Sequence, residues 1–302
     1  MKPRITDVAK RLWLMYVGLT GLEMILLLFG GMTFYDAINH ALTTMATGGF
    51  STKNASIAHY DSAFIQYVMI VFMFLAGTNF TITYYGFKGK FHKVWGNEEF
   101  RNYLVLVIVL SVCISFFVFS DQWEGFEKSF RDSLFQVVSI VTTTGYATAD
   151  YTAWAPFLTV IFFLLMFVGA SAGSTSGGIK VIRHTLLFKN SFLEMKRQLH
   201  PSAIIPVRLN NKAVSRDITY NVLAFVMIYL LILGLGVFLI SFTGVDFDTA
   251  LGAVATSLGN IGPGLGTVGP VHNFAHITPF GLWLLAFLML LGRLELITVL
   301  ML

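Results

Sequence analysis

Charged side chains are scarce in this sequence: Asp, Glu, Lys and Arg make up 12% of its 302 residues. A soluble domain of average composition carries about a quarter charged residues. Hydrophobic residues account for 56% of the chain, and its mean hydropathy is +0.73. The composition therefore excludes an ordinary water-soluble surface and predicts an integral membrane protein.

Cysteine is nearly absent as well. The single Cys113 excludes an internal disulfide and a thiolate metal site. The seven histidines are scattered, and no pair of them has the spacing and company of a metal site. No Ser, His and Asp set and no paired-carboxylate arrangement suggests catalysis. We therefore predict that the chain is not an enzyme and binds no cofactor, and an intramembrane enzyme is the weakest alternative.

Six apolar segments reach or approach the roughly 20 residues that a helix needs to cross a bilayer. They cover residues 12–30, 63–87, 103–120, 155–181, 218–241 and 279–302. The sequence therefore predicts six membrane spans.

Basic residues mark one side of these spans. Of the 20 Lys and Arg residues, sixteen lie before the first segment, between the second and third, or at or between the fourth and fifth. The opposite loops hold only Lys53, Lys128 and Arg131. The positive-inside rule therefore places the N-terminus in the cytoplasm. Because the basic residues are spread over three segments without a nucleic-acid motif, no nucleic-acid partner is predicted.

Three segments between the spans resemble one another. They read FYDAINHALTTMATGGFST from Phe34, SFRDSLFQVVSIVTTTGYAT from Ser129 and DFDTALGAVATSLGNIGPGL from Asp246. An aspartate precedes a glycine by 13, 13 and 14 residues in the three copies, at Asp36, Asp132 and Asp248. This is an internal repeat. It predicts an all-α membrane protein of helix–pore-loop–helix units, with boundaries at residues 1–92, 93–200 and 201–302.

Each unit is expected to hold a half-helix that ends inside the membrane. The aspartate is predicted to cap its start, where it would accept backbone N–H bonds and suit the positive end of the helix dipole. About 11 residues of helix span roughly 16 Å, half the membrane. The negative carboxyl end would then stabilise a cation at mid-membrane, and the chain would return as a loop that lines a cavity. Ordinary turns rich in Thr and Gly are an alternative for any one copy, but three copies in register favour pore loops.

We name the candidate ion-binding segments loop A, loop B and loop C. Threonine hydroxyls and backbone carbonyls can replace the water shell of a cation, and glycine permits the backbone angles that aim carbonyls at an axis. Phe50 and Tyr146 are expected to pack behind their loops and hold their width. The residues are Thr47, Gly48, Gly49 and Phe50 in loop A, Thr143, Thr144, Gly145 and Tyr146 in loop B, and Asn260, Ile261, Gly262 and Pro263 in loop C.

Ten small residues interrupt the fourth apolar segment. They are Gly169, Ala170, Ser171, Ala172, Gly173, Ser174, Thr175, Ser176, Gly177 and Gly178, and we call them the intramembrane loop. Glycine disfavours helix by up to about 1 kcal/mol relative to alanine, so a poor helix is expected. A phosphate-binding loop is excluded because Ile179 and Lys180 follow Gly178, where that motif needs Lys and then Ser or Thr. Close helix packing through small residues is the alternative to a flexible loop that faces a cavity.

Arg293, with Glu295 close behind, lies deep in the last apolar segment. A charge at the bilayer centre costs about 2.5 to 3.5 kcal/mol on insertion scales, so Arg293 should face protein or water. A structural ion pair or a hydrogen bond between helices is the alternative to a functional role.

Five motifs together resemble the bacterial Trk/Ktr family of potassium-uptake transporters, over essentially the whole chain. They are TGGFST from Thr47, TTTGYATADY from Thr142, GNIGPGLG from Gly259, GASAGSTSGGIKVIRH from Gly169 and GRLELITVL from Gly292. The resemblance implies four such units around a pseudo-fourfold pore, of which three are visible here, and a first unit upstream of Met1. It further implies a K⁺ filter lined by the loop glycines, with the intramembrane loop as a gate and Arg293 as an electrostatic barrier that could bond to the gate.

The same resemblance implies the setting and the partners. K⁺ is the expected transported ion, and glycine in all three visible loops argues for K⁺ over Na⁺. The family members are homodimers in the bacterial inner membrane, controlled by a cytosolic nucleotide-binding regulatory subunit of the TrkA type. A non-conducting assembly or regulatory module of such a transporter is the alternative that the missing fourth unit leaves open.

Overall fold

The computed structural model describes residues 5–122, 125–200, 202–203 and 205–294, and this part of the chain is helical apart from loops and one small hairpin. The helices are α1 (Ile5–Phe29), α2 (Phe34–Met45), α3 (Ala63–Gly77), α4 (Phe80–Phe87), α5 (Phe91–Trp95), α6 (Glu98–Gln122), α7 (Phe126–Val141), α8 (Pro156–Leu165), α9 (Val181–Leu199), α10 (Arg216–Ser241), α11 (Phe247–Gly259) and α12 (Pro279–Arg293). The order long helix, short helix, loop, helix recurs three times, in α1–α3, α6–α8 and α10–α12.

The hairpin lies on the side of the basic segments, which we call the basic face. Its strands are β1 (Arg208–Leu209) and β2 (Lys212–Ala213), paired antiparallel with Arg208 opposite Ala213. Two single 3₁₀ turns, Ser56–His59 and Gly266–Val268, lie in the loops that follow α2 and α11.

Three helical stretches are long and apolar enough to cross a membrane, namely Ala9–Phe29, Glu98–Ser120 and Arg216–Ser241. They match the first, third and fifth predicted spans. Their outward faces carry large exposed apolar side chains such as Phe29 and Phe116, as expected where lipid replaces water.

The other three predicted spans differ from continuous helices. The second breaks into α3 and α4, which are bent by 115°. The helical parts of the fourth and sixth are α8 and α12, of 10 and 15 residues. The remainder of the sixth, from residue 295 onward, lies outside the described residues.

The break in the second span has a local cause. Thr78 adopts an extended conformation, and the side chain of Asn79 caps α4 by accepting a hydrogen bond from the backbone N–H of Thr81 at 2.8 Å. Just before the break, Gly77 is so tightly packed that a Cβ there would lie 2.8 Å from the hydroxyl of Tyr103. The prediction of one continuous helix over residues 63–87 is therefore wrong, because a side-chain cap starts a new helix within it.

The half-helices α2, α7 and α11 have 12, 16 and 13 residues, which corresponds to about 18 to 24 Å at 1.5 Å per residue. At least half of the residues in each are buried. In α11, for example, every residue from Gly252 to Gly259 is buried. The longer helices surround them, so three half-helices form the centre of the molecule.

The three repeat aspartates do not cap these half-helices, contrary to prediction. The cap of α2 is Thr33, and the cap of α11 is Asp246, which accepts a bond from the backbone N–H of Thr249 at 3.2 Å. Asp132 lies well inside α7, which begins at Phe126. The cap is the residue whose backbone is still extended, and the helices begin earlier than the aspartate spacing predicts.

Asp36 instead joins α2 to the chain that follows loop A. Its carboxylate accepts hydrogen bonds from the hydroxyls of Thr52 at 2.5 Å and Thr33 at 2.9 Å, and the ammonium of Lys53 lies 3.4 Å away. The hydrogen bond from Thr52 is the main reason why the pKa of Asp36 falls to about 2, and Thr33, Tyr60 and Lys53 lower it further. Asp36 lies at the end of α2 opposite the basic face, outside the spanning helices.

This clamp predicts a pH-dependent stability. The folded-state pKa of Asp36 is lower than the ordinary value of 3.8, so the charged form stabilises the fold above that value and the contribution is lost as pH falls through about 2. We expect the difference in melting temperature between the native protein and Asp36→Asn to be constant above pH 5 and to shrink between pH 4 and pH 2. Thermal unfolding in detergent, followed by circular dichroism, measures it. A difference that stays the same down to pH 2 would contradict the clamp.

Candidate functional site

Loops A, B and C begin with the same helix-ending turn. One or two positions after the last residue of each half-helix, one residue adopts a left-handed conformation, with φ of 51° at Thr47, 56° at Thr143 and 58° at Asn260. Its N–H bonds to the carbonyl three residues back, and the next N–H bonds five residues back, as in Gly48 to Thr43 at 2.7 Å. The same pair of bonds occurs in loops B and C. This is the Schellman motif, and it gives the three loops the same backbone conformation at the start of each.

The carbonyl oxygens of these loops are left without protein donors. Among the described residues, no hydrogen bond ends on the backbone carbonyls of residues 47–49, 143–145 or 260–262. Backbone carbonyls inside folded proteins are nearly always paired. Three consecutive unpaired carbonyls in each of three equivalent loops therefore form a set of oxygen atoms that can coordinate a cation.

Glycines bring the loops into backbone contact. A Cβ on Gly49 would lie 1.8 Å from the carbonyl oxygen of Thr144, and a Cβ on Gly145 would lie 1.7 Å from the carbonyl oxygen of Ile261. Both glycines also have positive φ, 64° and 86°. No other residue type fits this approach. Loop A therefore packs on loop B, and loop B packs on loop C.

Within the described part of the chain, loop C has no such close neighbour at Gly262. Around Gly262 (φ 117°), the nearest atoms to an added Cβ belong to Gly145, at 3.9 Å. Gly262 is exposed, as is Phe50 of loop A, whose side chain is 76% accessible. The three loops thus form a partial ring that is open between loop C and loop A.

Tyr146 and Phe50 take opposite positions. Tyr146 is fully buried, and its hydroxyl lies 2.6 Å from the Thr43 hydroxyl and donates to the His40 carbonyl at 3.2 Å. It joins loop B to the half-helix of loop A, in the supporting position that was predicted. Phe50 does not pack behind its loop; its ring lies beside Gly48 at the open side. The prediction for Phe50 is therefore wrong, because no element covers that side among the described residues.

The remaining loop C residues fasten it to its surroundings. The side-chain amide of Asn260 donates to the carbonyl of Met289 in α12 at 2.9 Å. Ile261 is buried, and Pro263 lies against Gly145. In the same region Gly292 lets α12 approach α11 closely, because a Cβ there would lie 1.9 Å from the Leu258 carbonyl oxygen.

The intramembrane loop lies directly against the ends of all three half-helices. The hydroxyl of Thr47 donates to the carbonyl of Thr175 at 2.8 Å. The hydroxyl of Thr175 donates in turn to the carbonyl of Met45 at 3.0 Å. The N–H of Gly177 donates to the hydroxyl of Thr143 at 2.7 Å, and a Cβ on Gly177 would lie 2.8 Å from the carbonyl of Gly259. The hydroxyls of Thr47 and Thr143 therefore face this loop.

The stretch from Gly169 to Gly178 is not helical, as its glycine content predicts, so close packing of a small-residue helix does not apply. Its two ends meet: the N–H of Gly169 donates to the carbonyl of Ile179 at 2.8 Å. Between them the loop is tied to the break between α3 and α4. Ser171 N–H donates to the Gly77 carbonyl at 3.0 Å, and the side-chain amide of Asn79 donates to the Ala172 carbonyl at 2.6 Å.

Arg293 bonds to the end of α2 and not to the intramembrane loop. Its guanidinium donates to the Ala46 carbonyl at 2.8 Å and to the Thr47 hydroxyl at 3.4 Å. The expected bond to residues 169–178 is therefore wrong; the negative end of the α2 dipole offers the nearer acceptor. Glu295 lies outside the described residues.

Two buried acids near the site were given no role by sequence reasoning. Glu23, in the middle of α1, is fully buried beside Thr44, and neither carboxyl oxygen has a hydrogen-bond partner among the described residues. Glu99, at the start of α6, is also buried and accepts a hydrogen bond from the N–H of Ala172 at 2.6 Å. The signal that could have found Glu23 is an acid within an apolar span. The partner of Glu99 is 73 residues away, and no local pattern reveals it.

Comparison with known proteins shows which family the chain resembles. The model of the family TrkH, described as "Cation transport protein", matches residues 1–121 and 125–302. The Trk system potassium uptake protein TrkH of Salmonella typhimurium is 39% identical over the whole chain, and TrkG of Escherichia coli is 33% identical. The chain spans 62% of the length of each of these relatives.

A solved structure agrees with the fold. The crystal structure of the potassium transporter TrkH from Vibrio parahaemolyticus superposes with a TM-score of 0.91 at 35% identity, covering all of this chain and 65% of that one. The prediction of a helical membrane protein is confirmed, and so is the family resemblance drawn from the five motifs. The chain belongs to the TrkH family of cation transport proteins.

Proposed function

We propose that this chain forms three sides of the K⁺ pathway of a potassium-uptake system. The observation that carries the proposal is the set of unpaired carbonyls of residues 47–49, 143–145 and 260–262, held in one repeated turn. Rings of backbone carbonyls are the means by which potassium filters replace the hydration shell of the ion. The printed names of the relatives, potassium uptake proteins, support K⁺ as the ion.

The half-helices add an electrostatic term. α2, α7 and α11 all end at the loops, and each helix carboxyl end bears about half a negative charge. Three such ends around one point favour a cation there by a through-space interaction that a low-dielectric membrane strengthens. The half-helices and the carbonyls thus act on the same ion.

The open side between loop C and loop A is part of the proposal. A fourth helix–pore-loop–helix unit, which the family resemblance implies, would close the ring beside Gly262 and Phe50. The division into units at residues 1–92, 93–200 and 201–302 belongs to the same proposal. A chain that never gains a fourth side would fit the alternative of a non-conducting module.

The intramembrane loop is proposed as the gate. Its contacts with Thr47, Thr143 and Gly259 place it against the carboxyl ends of all three half-helices, on the side of the basic face. An ion that leaves the three loops in that direction must pass this segment. Its glycines and its lack of helix make a change of backbone conformation inexpensive. Arg293 is proposed as a fixed positive charge beside the same exit.

The setting follows from the charge distribution and the family. We propose that the basic face lies in the cytoplasm with the N-terminus, that the protein resides in the bacterial inner membrane as a homodimer, and that a cytosolic nucleotide-binding subunit of the TrkA type acts on this face.

The filter assignment predicts the effect of Gly145→Ser. A Cβ at this position meets the Ile261 carbonyl at 1.7 Å, so loops B and C must move apart and their carbonyls must lose register. We expect a fall of at least tenfold in Rb⁺ uptake, together with a lower preference for K⁺ over Na⁺. The measurement is ⁸⁶Rb⁺ uptake into K⁺-depleted cells, with K⁺ and Na⁺ as competitors.

The matched control is Gly244→Ser. Gly244 also has a positive φ, 84°, but nothing lies within 4 Å of an added Cβ. The serine at this position imposes the backbone strain of a non-glycine residue but meets no neighbouring carbonyl. Uptake and ion preference should therefore stay near native. Unchanged uptake and preference in Gly145→Ser, at native protein levels, would show that the filter is elsewhere.

The exit charge predicts the effect of Arg293→Gln. Glutamine keeps a donor for the Ala46 carbonyl but removes the positive charge. The electrostatic barrier to a cation that moves from the three loops toward the basic face should therefore fall. We expect ⁸⁶Rb⁺ uptake to rise by severalfold, and Arg293→Lys to remain near native. Uptake that falls equally in both variants would assign Arg293 a structural role only.

A further inference from the structure

The start of α6 carries two adjacent acids that serve different elements. Glu98 and Glu99 are its first two residues. Their side chains differ in environment: Glu99 is buried, with 5% of its surface accessible, and Glu98 is at the surface of the basic face. Acids in a first turn usually complement the helix dipole. Here Asn97 already supplies a side-chain acceptor for the N–H of Phe100, at 2.9 Å, so the acids are available for other partners.

Glu99 holds the intramembrane loop. Its carboxylate accepts the N–H of Ala172 at 2.6 Å. The ammonium of Lys180 is close to the same carboxylate and also donates to the hydroxyl of Ser176 at 2.8 Å. Hydrogen bonds to a charged acceptor are about twice as strong as neutral ones. One buried side chain thus fastens the loop to the start of α6 and the start of α9.

Glu98 holds the hairpin β1–β2. Its carboxylate accepts the N–H of Asn210 at 3.1 Å and the ammonium of Lys189 at 2.7 Å. In return, its own N–H donates to the side-chain oxygen of Asn210 at 2.8 Å. Lys189 also donates to the carbonyl of Arg208 at 3.0 Å. Backbone and side chain of one residue therefore lock the start of α6 to the hairpin.

The hairpin has a tight turn and an exposed surface. Its two turn residues, Asn210 and Asn211, both have positive φ, 48° and 63°, as in the tight turns that match the twist of paired strands. The hairpin is also exposed on the basic face, where a cytosolic protein could reach it.

We propose that Glu98 and Glu99 couple the hairpin to the intramembrane loop, with Glu98 as the contact to the hairpin and Glu99 as the positioning residue of the loop. A shift of the hairpin is passed through the first turn of α6 to the N–H of Ala172. The coupling rests on contacts alone, whereas its meaning for ion flow rests on the proposed function of the loop as a gate.

A double-mutant cycle tests the coupling. Ser174→Cys, in a Cys113→Ser background, reports the opening of the loop through its rate of reaction with a membrane-impermeant methanethiosulfonate reagent. Asn210→Gly removes the side-chain bond to Glu98 and keeps a residue that accepts positive φ. Asn211→Gly is the matched control, because its side chain has no bond to α6 within the described chain. Glu99→Gln weakens the hold on the loop without changing its shape.

Asn210→Gly should raise the rate about fivefold, the effect of one lost hydrogen bond, while Asn211→Gly should leave it unchanged. In the Glu99→Gln background, Asn210→Gly should add less than it does in the native background, because the path is already weakened at its other end. Rates that multiply in the double variant, or equal effects of the two glycine variants, would overturn the coupling.

Uptake of ⁸⁶Rb⁺ by the same variants separates this inference from the proposed function. Suppose that the effects of Asn210→Gly and Glu99→Gln on the rate of thiol modification do not multiply, while Rb⁺ uptake is unchanged. This result would support the coupling and contradict the gate. Additive thiol rates with an altered Rb⁺ uptake would contradict the coupling and leave the gate supported.

Discussion

The contact of backbone with backbone at Gly49 and Gly145 is the constraint on which the rest of the structure depends. At each glycine, the carbonyl oxygen of the neighbouring loop lies so close to the backbone that a Cβ atom would collide with it. This contact brings three half-helix ends to one place in the membrane. There the unpaired carbonyls and the three negative helix ends lie close together. Removing the contact would leave three ordinary turns, each with unpaired polar groups at a depth where water is scarce.

The intramembrane loop is also positioned by contacts with the half-helix ends. Because Thr47 and Thr143 direct their hydroxyls to this loop, the segment that supports loops A and B is the same one that is proposed as the gate. The loop is in turn held by side chains from other elements, Asn79 from the break between α3 and α4 and Glu99 from α6. A short, glycine-rich segment is therefore kept in place by long-range bonds and not by its own secondary structure.

How much of this could be read from the sequence depends on the range of the interactions. The repeat and the loop positions were visible, since glycine and small-residue spacing reflects backbone conformation, which is local. The helix starts were misplaced because Thr33 and Asp246 compete with Asp36 and Asp248 as caps, and spacing alone does not choose between them. The break at Asn79, the exposure of Phe50 and the target of Arg293 depend on neighbours distant in sequence. Glu99 was missed for the same reason, because its partner Ala172 is 73 residues away. Glu23, by contrast, was visible in the sequence as an acid within an apolar span.

The central claim is that the carbonyls of residues 47–49, 143–145 and 260–262 bind a dehydrated monovalent cation. Anomalous X-ray scattering from crystals grown in Rb⁺ tests it most directly, because Rb⁺ substitutes for K⁺ and is located without reference to the protein. The account predicts anomalous density between the three loops, in contact with these carbonyl oxygens, and its loss when Na⁺ replaces Rb⁺. Well-ordered loops without Rb⁺ density between them, with Rb⁺ bound elsewhere in the membrane region, would contradict it.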